Sequence, residues 1–334
     1  MDLNNKCNLR CRMCYFALDL SKQPNVVMDI PLFKKIAAEV FPKAVQVNLS
    51  CAAEPLLIPN FTDYLKILKT YDVPTTLIVT NAFLLDETKA LAVMESGLTY
   101  IDVSMDGATK STYEKVRVGS NFERVVDNLR KLKHLKESSG RTNPLVYFDY
   151  TLMRSNFKEL PEFLRLAKEL GASQVRANHL IPFPQLKVMG ESLIHCRKEA
   201  NDIFDETRHL ADEIGIQVFL PKNFDLSKDI NGAPIINKPA CSVPQDSIFI
   251  VSDGSAVPCA WFSFEKWRAG NFKDQNFEEI WNGPVYTELR DLFQSRKYTE
   301  YCVNCPVYGD ENIDTYVFNE RKRDDVINIA SRNV

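Results

Sequence analysis

The sequence predicts an α/β protein: a partial (β/α)6, TIM-like barrel followed by a small C-terminal unit of β-hairpin and helix. Three observations predict it. Short β-branched runs alternate with amphipathic helical stretches over residues 1–221. That order implies parallel strands joined by right-handed crossovers. Several runs are apolar on both parities, as in Thr76-Leu77-Ile78-Val79, which suits a parallel strand buried on both faces. Further on, Asp253-Gly254 separates two β-type runs, a hairpin signal.

Taken in order, Met1 to Lys6 leaves room for only a stub of a first strand, and a cysteine-bearing loop follows. Residues 30–41 then have helical spacing through Ile30, Phe33, Ile36, Ala37 and Val40. The remaining strand candidates are 44–50, 75–80, 100–104, 146–152 and 174–180. Helices are expected between them at 61–70, 86–95, 121–136 and 158–170, with Gly97 and Gly171 where two of them end. With the stub as the first, six strands result. Residues 183–196 are irregular, 197–214 read as a long helix, and 217–220 are a further strand candidate. The polar stretch 222–240 reads as a linker. Beyond it come hairpin strands at 247–251 and 256–261, then helical stretches at 277–281 and 285–293.

Composition narrows the function. Hydrophobic residues make up 45% and charged residues 25% of 334, as in a soluble globular protein. A net charge of −3 offers no electrostatic footprint for nucleic acid or an anionic membrane. No apolar run approaches the roughly 20 residues that span a bilayer. Seven of the nine cysteines fall into two groups, so ligation explains them better than disulfides do, and thiolate ligation needs a reducing compartment. The expected location is cytoplasmic.

The first group is Cys7-Asn-Leu-Arg-Cys11-Arg-Met-Cys14-Tyr15, a C-x3-C-x2-C spacing. Three thiolates from one short loop can each hold one iron of a cubane and leave the fourth iron open. A zinc site is the alternative, but zinc knuckles bring paired C-x2-C or histidine ligands nearby, and no histidine precedes His134.

This run resembles the cluster loop of the radical S-adenosylmethionine (SAM) enzymes. The resemblance implies a [4Fe-4S] cluster on Cys7, Cys11 and Cys14, with SAM chelating the open iron through its amino and carboxylate groups. One electron, from an external reductant such as flavodoxin or ferredoxin, then cleaves SAM to methionine and a 5'-deoxyadenosyl radical that takes hydrogen from substrate. In barrels of this kind functional residues collect at the C-terminal ends of strands. There, Cys51-Ala52-Ala53-Glu54-Pro55 resembles the family's Gly-Gly-Glu-Pro motif, with Glu54 facing the SAM amino group. The alanines replace glycines, so the backbone is expected to differ. Cys51 is expected to be a small buried residue and Cys196 structural. Thr80-Asn81-Ala82 resembles Thr-Asn-Gly, and Ser104-Met105-Asp106-Gly107 resembles Ser-x-Asp-Gly. Ser104 would touch the methionyl carboxylate or the ribose, and Arg117 would grip the carboxylate. Asp106 either serves the same site or caps the helix that follows. Thr151 is a ribose candidate. His179 and Asp149 are candidates for a proton acceptor.

The second group reads C-x12-G-x4-C, 42 residues, C-x2-C, through Cys241, Cys259, Cys302 and Cys305. It resembles the SPASM domain in its short twitch form, which implies a second, fully ligated [4Fe-4S] cluster; a zinc ribbon is the alternative. The resulting division is a radical SAM core at 1–221, a linker at 222–240 and an auxiliary-cluster domain at 241–320. With all its irons ligated, the second cluster is suited to electron transfer. That favours net oxidation of a small molecule, as in the dehydrogenase that oxidises 2-deoxy-scyllo-inosamine. Modification of a ribosomal peptide is the main alternative, and a non-enzymatic iron–sulfur or zinc-binding protein the next.

Overall fold

In the computed structural model, the residues described are 1–16, 24–181, 184–227, 241–260, 268–295, 297–299, 302 and 326–327. Six parallel strands form one sheet: β1 Gln46–Asn48, β2 Thr75–Thr80, β3 Tyr100–Ser104, β4 Leu145–Leu152, β5 Gln174–His179 and β6 Gln217–Phe219. Each strand pairs with the next in chain order. Because the order never reverses, right-handed crossovers place every connecting helix on the same face. The opposite face becomes the inside of an open barrel. No described helix is long and apolar enough to cross a membrane.

The strand count matches the expectation but its membership does not. The N-terminal stub contributes a single antiparallel bridge, Asn4 to Val27, and the sixth strand is β6 instead. Met28 N donates to Leu3 O (2.8 Å), so the opening residues are committed to residues 26–28 and form no ladder with β1. Of residues 183–196, expected to be irregular, those described, from 184 on, contain three short 3-10 turns ending at Cys196.

Helices α1 Ile30–Val40, α2 Phe61–Leu68, α3 Glu87–Glu95, α4 Lys110–Val116, α5 Phe122–Ser139, α6 Leu160–Glu169 and α7 Arg197–Ile214 accompany the sheet. Several begin on capping side chains: Asp29 accepts from Leu32 N, Asp86 from Lys89 N, and Asn121 from Arg124 N. Such caps satisfy amides that have no partner inside the helix. Strand residues of one parity meet these helices. Val146, Phe148, Tyr150, Val175 and Ala177 are all buried, and Phe163 of α6 packs edge-on against Phe148 and tilted against Tyr150, with ring centroids at 5.7 and 4.7 Å. The other parity lines the lumen, where Tyr100 and Tyr147 stack at 4.5 Å.

The C-terminal unit holds α8 Val243–Asp246, β7 Phe249–Ile250, β8 Ser255–Val257, β9 Gly270–Asn271, α9 Phe277–Trp281 and α10 Pro284–Gln294. The expected hairpin is thus extended to a three-stranded antiparallel sheet by β9. Cys259 stands two residues beyond β8 rather than on it, because the ladder stops at Val257. This unit grips α1: Lys35 Nζ donates to Phe272 O (2.6 Å) and Gln275 O (3.1 Å), and Phe277 N to Glu39 Oε2 (2.6 Å). Asp2 N donates to Ile250 O (2.8 Å).

Candidate active site

The cysteine loop is seated by its backbone. Arg10 N donates to Val118 O (2.8 Å) and Arg12 N to Val116 O (2.9 Å), which docks the loop on the end of α4. Met13 packs on the apolar cluster of Val116, Met153, Leu180 and Val188, and Arg12 pairs with Glu191 at 3.1 Å. Cys11 is buried; Cys7 and Cys14 are half-buried. Burial pushes the Cys7 thiol up to about 11 and the Cys11 thiol up to about 12; the charge of Cys14 adds to both, and Arg117 opposes the rise. The three sulfurs are therefore within electrostatic reach of one another, in a setting where a coordinated metal would supply the charge that makes them thiolates. Among the described residues, no group of three or more Cys, His, Asp or Glu side chains is arranged to hold a single metal ion.

Glu54 ties this loop to two strand ends. Its backbone N donates to Lys6 O (2.9 Å) and its backbone O accepts from Asn4 Nδ2 (3.1 Å). Its buried carboxylate accepts from Thr80 Oγ1 (2.8 Å), Leu56 N (3.1 Å) and Asn81 N (2.8 Å). Burial pushes its pKa up to about 7, against the pull of these three donors and of Arg117. Two carboxylate oxygens offer about four lone-pair sites, so three bonds leave room for one more donor. Asn81 passes the connection on: its Nδ2 donates to Asn8 Oδ1 (3.0 Å) and lies 3.8 Å from Cys7 Sγ. Ala82, at the position of the motif's glycine, keeps a glycine-like φ of 56°. Ala52 and Ala53 do not: among the described residues, the non-glycine positive φ values are at Ala82 and Lys187. Asp2 Oδ1 holds the Ala-Ala loop by accepting from Cys51 N (2.7 Å) and Ala52 N (3.0 Å). Cys51 is exposed rather than buried as expected.

Asp106 and Arg117 form a buried ion pair behind Cys11, with Nε at 2.6 Å from Oδ2. Asp106 Oδ1 accepts from Thr151 N (2.6 Å), and Asn156 Nδ2 donates to Asp106 O (3.2 Å) and Thr151 O (2.9 Å). Arg117 Nη1 reaches Cys11 Sγ at 3.9 Å. Burial alone would weaken the Arg117 cation, but Asp106, Cys11 and Tyr113 hold it charged. Burial raises the Asp106 pKa, with Arg117 and Thr151 N opposing. Asp106 does not cap α4. Thr109 does that by accepting from Thr112 N, and Glu159 supports it by accepting from Ala108 N (2.9 Å) and Thr109 N (3.1 Å). Gly107 belongs here because a Cβ would lie 2.7 Å from Tyr113 N.

The distal cysteines are set differently. Cys259 and Cys302 both pack on the patch formed by Phe249 and Val257. Cys302 N donates to Thr299 Oγ1 (3.2 Å). Cys241 is half-buried just before α8, and Cys305 lies outside the described residues.

A family model described as the radical SAM superfamily matches residues 1–175, more than half of the chain. The chain belongs to the radical SAM superfamily. A second family model, an iron–sulfur cluster-binding domain of the SPASM type, matches residues 241–306. Among curated relatives, the tungsten-containing aldehyde ferredoxin oxidoreductase cofactor-modifying protein of Pyrococcus furiosus is 24% identical, over 91% of this chain and 86% of that protein. The cysteine-type anaerobic sulfatase-maturating enzyme of Clostridium novyi is 23% identical, over 91% and 83%. Among solved structures, Streptococcus suis SuiB bound to S-adenosylmethionine superposes with a TM-score of 0.67 at 13% identity, over 90% of this chain and 68% of that one. The cofactors of this radical SAM protein are accordingly SAM and iron–sulfur clusters.

Within the radical SAM barrel, the strand register sorts the remaining candidates. Ser104 is level with Asp149 across β3 and β4, and Asp149 with Arg176 across β4 and β5. Ser104, Asp149 and Thr151 share the lumen parity, and Thr151 is tied to Asp106 through its backbone. His179 has the opposite parity. It packs between Phe204 of α7 and Phe224, with ring centroids at 6.1 and 5.2 Å, and burial lowers its pKa to about 4. The structure therefore brings Asp149, and not His179, to the lumen-facing set. Sequence reasoning missed Asn8, Asn156 and Glu159, whose partners are remote in the chain. It also missed Asp102 and Arg176, which join Asp149 in the lumen: Arg176 lies 2.6 Å from Asp102 Oδ2 and 2.7 Å from Asp149 Oδ1.

Proposed function

We propose that this radical SAM enzyme abstracts hydrogen from a small molecule and completes a net oxidation, with a C-terminal cluster as the electron partner. The first cluster would be held by Cys7, Cys11 and Cys14, and the second by Cys241, Cys259, Cys302 and Cys305. When bound, SAM on the open iron supplies the hydrogen-abstracting radical. The protein's own residues bind, orient and exclude water. Glu54 has one acceptor site left for the SAM amino group, and Asn81 steadies the Cys7 side of the loop. Ser104 and Thr151 offer hydroxyls to the methionyl or ribose end. Arg117, held by Asp106, places a fixed cation by Cys11 that would attract the SAM carboxylate. Asp149, level with Ser104 across β3 and β4, is the candidate proton acceptor.

The observation that carries the reading is the joining of two cysteine groups on one framework through Asp2, Lys35 and Glu39. A cavity of about 360 Å³ lined by Gln174, Arg176, Asn178, Phe219 and His179 suits a small molecule or one side chain. A peptide substrate is the second reading. The sulfatase-maturating relative, aligned along most of its length, favours it. The test is anaerobic reconstitution followed by SAM and dithionite. About eight irons per chain and formation of 5'-deoxyadenosine are expected. Failure to cleave SAM with both clusters loaded would sink the reading. Deuterated amines, polyols and peptides then separate the two substrate classes by which of them passes deuterium into 5'-deoxyadenosine.

A further inference from the structure

Asp102, Asp149 and Arg176 come from three successive strands, and only the register brings them together. Arg176 Nη2 donates to Asp102 Oδ2 (2.6 Å) and to Asp149 Oδ2 (2.8 Å), and its Nε donates to Asp149 Oδ1 (2.7 Å). One nitrogen thus bridges two carboxylates. A single guanidinium cannot neutralise both, and two ionised carboxylates sharing a site repel. Asp102 is 2% exposed, and its Oδ1 is buried without a hydrogen-bond partner among the described residues. An orphaned charged acceptor is costly. A proton on Asp102 removes these costs: it cancels the excess charge, relieves the repulsion from Asp149, and takes up the orphaned oxygen.

We infer that Asp102 carries a proton at neutral pH and that, with Asp149 beside it, it forms the proton-accepting site of the lumen, taking the O–H, N–H or S–H proton of a donor group on the substrate carbon. Asp149 is the member that touches substrate: its side chain is 26% exposed, and Arg176 beside it lines the cavity. Asp102 is a positioning residue that shares Arg176 with Asp149 and, protonated, leaves the guanidinium to it. In the step, the bond from the heteroatom to hydrogen breaks, the heteroatom keeps the electron pair, and the proton adds to the Asp149 carboxylate. The pair then carries two protons, and no electron moves in this step. The titratable groups around Asp102 are Asp149 and Tyr147 on β4, Arg176 on β5 and Tyr100 on its own strand. Burial first, then Asp149, push the Asp102 pKa up, and Arg176 opposes the rise. The inference rests on the oxidation reading for its role, but not for its test.

That test is infrared spectroscopy of the full chain, clusters reconstituted, with carbon-13 in the aspartate carboxyls. At pH 7 the wild-type minus Asp102→Asn difference spectrum is expected to contain the C=O band of a protonated carboxyl. Asp149→Asn should remove the same band, because Asp102 would then have Arg176 to itself and ionise. A merely structural salt bridge would give carboxylate bands alone. If Asp102→Asn fails to fold by circular dichroism, Asp149→Asn carries the test alone. Absence of the protonated band, or its survival in Asp149→Asn, overturns the inference and leaves the oxidation reading standing. Its presence supports the pair even if substrate assays find no oxidation.

Discussion

The two cysteine groups of this radical SAM enzyme sit in opposite kinds of surroundings. Cys7 and Cys11 are embedded in buried polar chemistry that reaches three strand ends, through Asn81, Glu54, Arg117 and Asp106. Cys259 and Cys302 rest on a small apolar patch, Phe249 and Val257. The difference follows from the ligand each group is suited to. A cluster with an open iron must also hold a charged cosubstrate in one orientation, which takes fixed donors and cations. A cluster closed by four thiolates needs its sulfurs placed and water kept away.

Removing one thiol from each group is the strongest way to break this comparison. Cys11→Ala should abolish SAM cleavage while iron falls from about eight to about four per chain. Cys302→Ala should lose a similar amount of iron and still release 5'-deoxyadenosine. Iron analysis and product chromatography on both variants check this, and cleavage lost equally in both would erase the distinction.

Next in size is the buried pair behind Cys11. Asp106→Asn leaves Arg117 buried without its counter-charge, and breaking such a pair costs about 3–5 kcal/mol. Denaturant unfolding of the protein should show that loss. No single charged side chain near Cys259 is expected to cost as much. An effect below about 1 kcal/mol would show that the pair is solvated after all.

A control outside both regions is His179. Its folded pKa of about 4 lies below the usual 6.5, so the unfolded chain binds the extra proton as pH falls through that window. The sign follows: stability present above pH 6.5 is lost on the way down to pH 4, by about 3 kcal/mol for a shift of this size. The difference between wild type and His179→Leu should therefore shrink with falling pH, read from denaturation midpoints. The smallest effect is expected from Cys51→Ser. Exposed and outside both cysteine spacings, Cys51 should leave the iron count unchanged, and any lost iron would make it a ligand.

Much of the fold was legible because local pattern and tertiary role agree. Residues 75–80 are apolar on both faces and become a central strand; residues 197–214 are amphipathic and become α7. Gln217–Phe219 is the strand expected at 217–220, but it makes up the six of the sheet, where the chain order alone had counted the N-terminal stub. At the site, the cysteine spacings were legible because their ligand chemistry is local in the chain. Asp102 and Arg176 were not: each is an ordinary charged residue in its own strand, and only register makes them neighbours. His179 misled for a related reason. The end of a strand is a functional place, but the side of the sheet on which a residue emerges depends on parity, and that side here belongs to Phe204 and Phe224.

The bonds that Asp2, Lys35 and Glu39 make to the C-terminal unit also set a schedule for biosynthesis. Lys35 and Glu39 meet partners 237 to 240 positions later in the chain. At about 5–20 residues per second, a ribosome needs roughly 10–50 s to make that stretch. For most of that interval the opening cysteines exist without the elements that brace their framework. Oxidation or loading with the wrong metal has its widest opportunity then, so the supply of iron and reductant during translation should govern how much active enzyme a cell obtains.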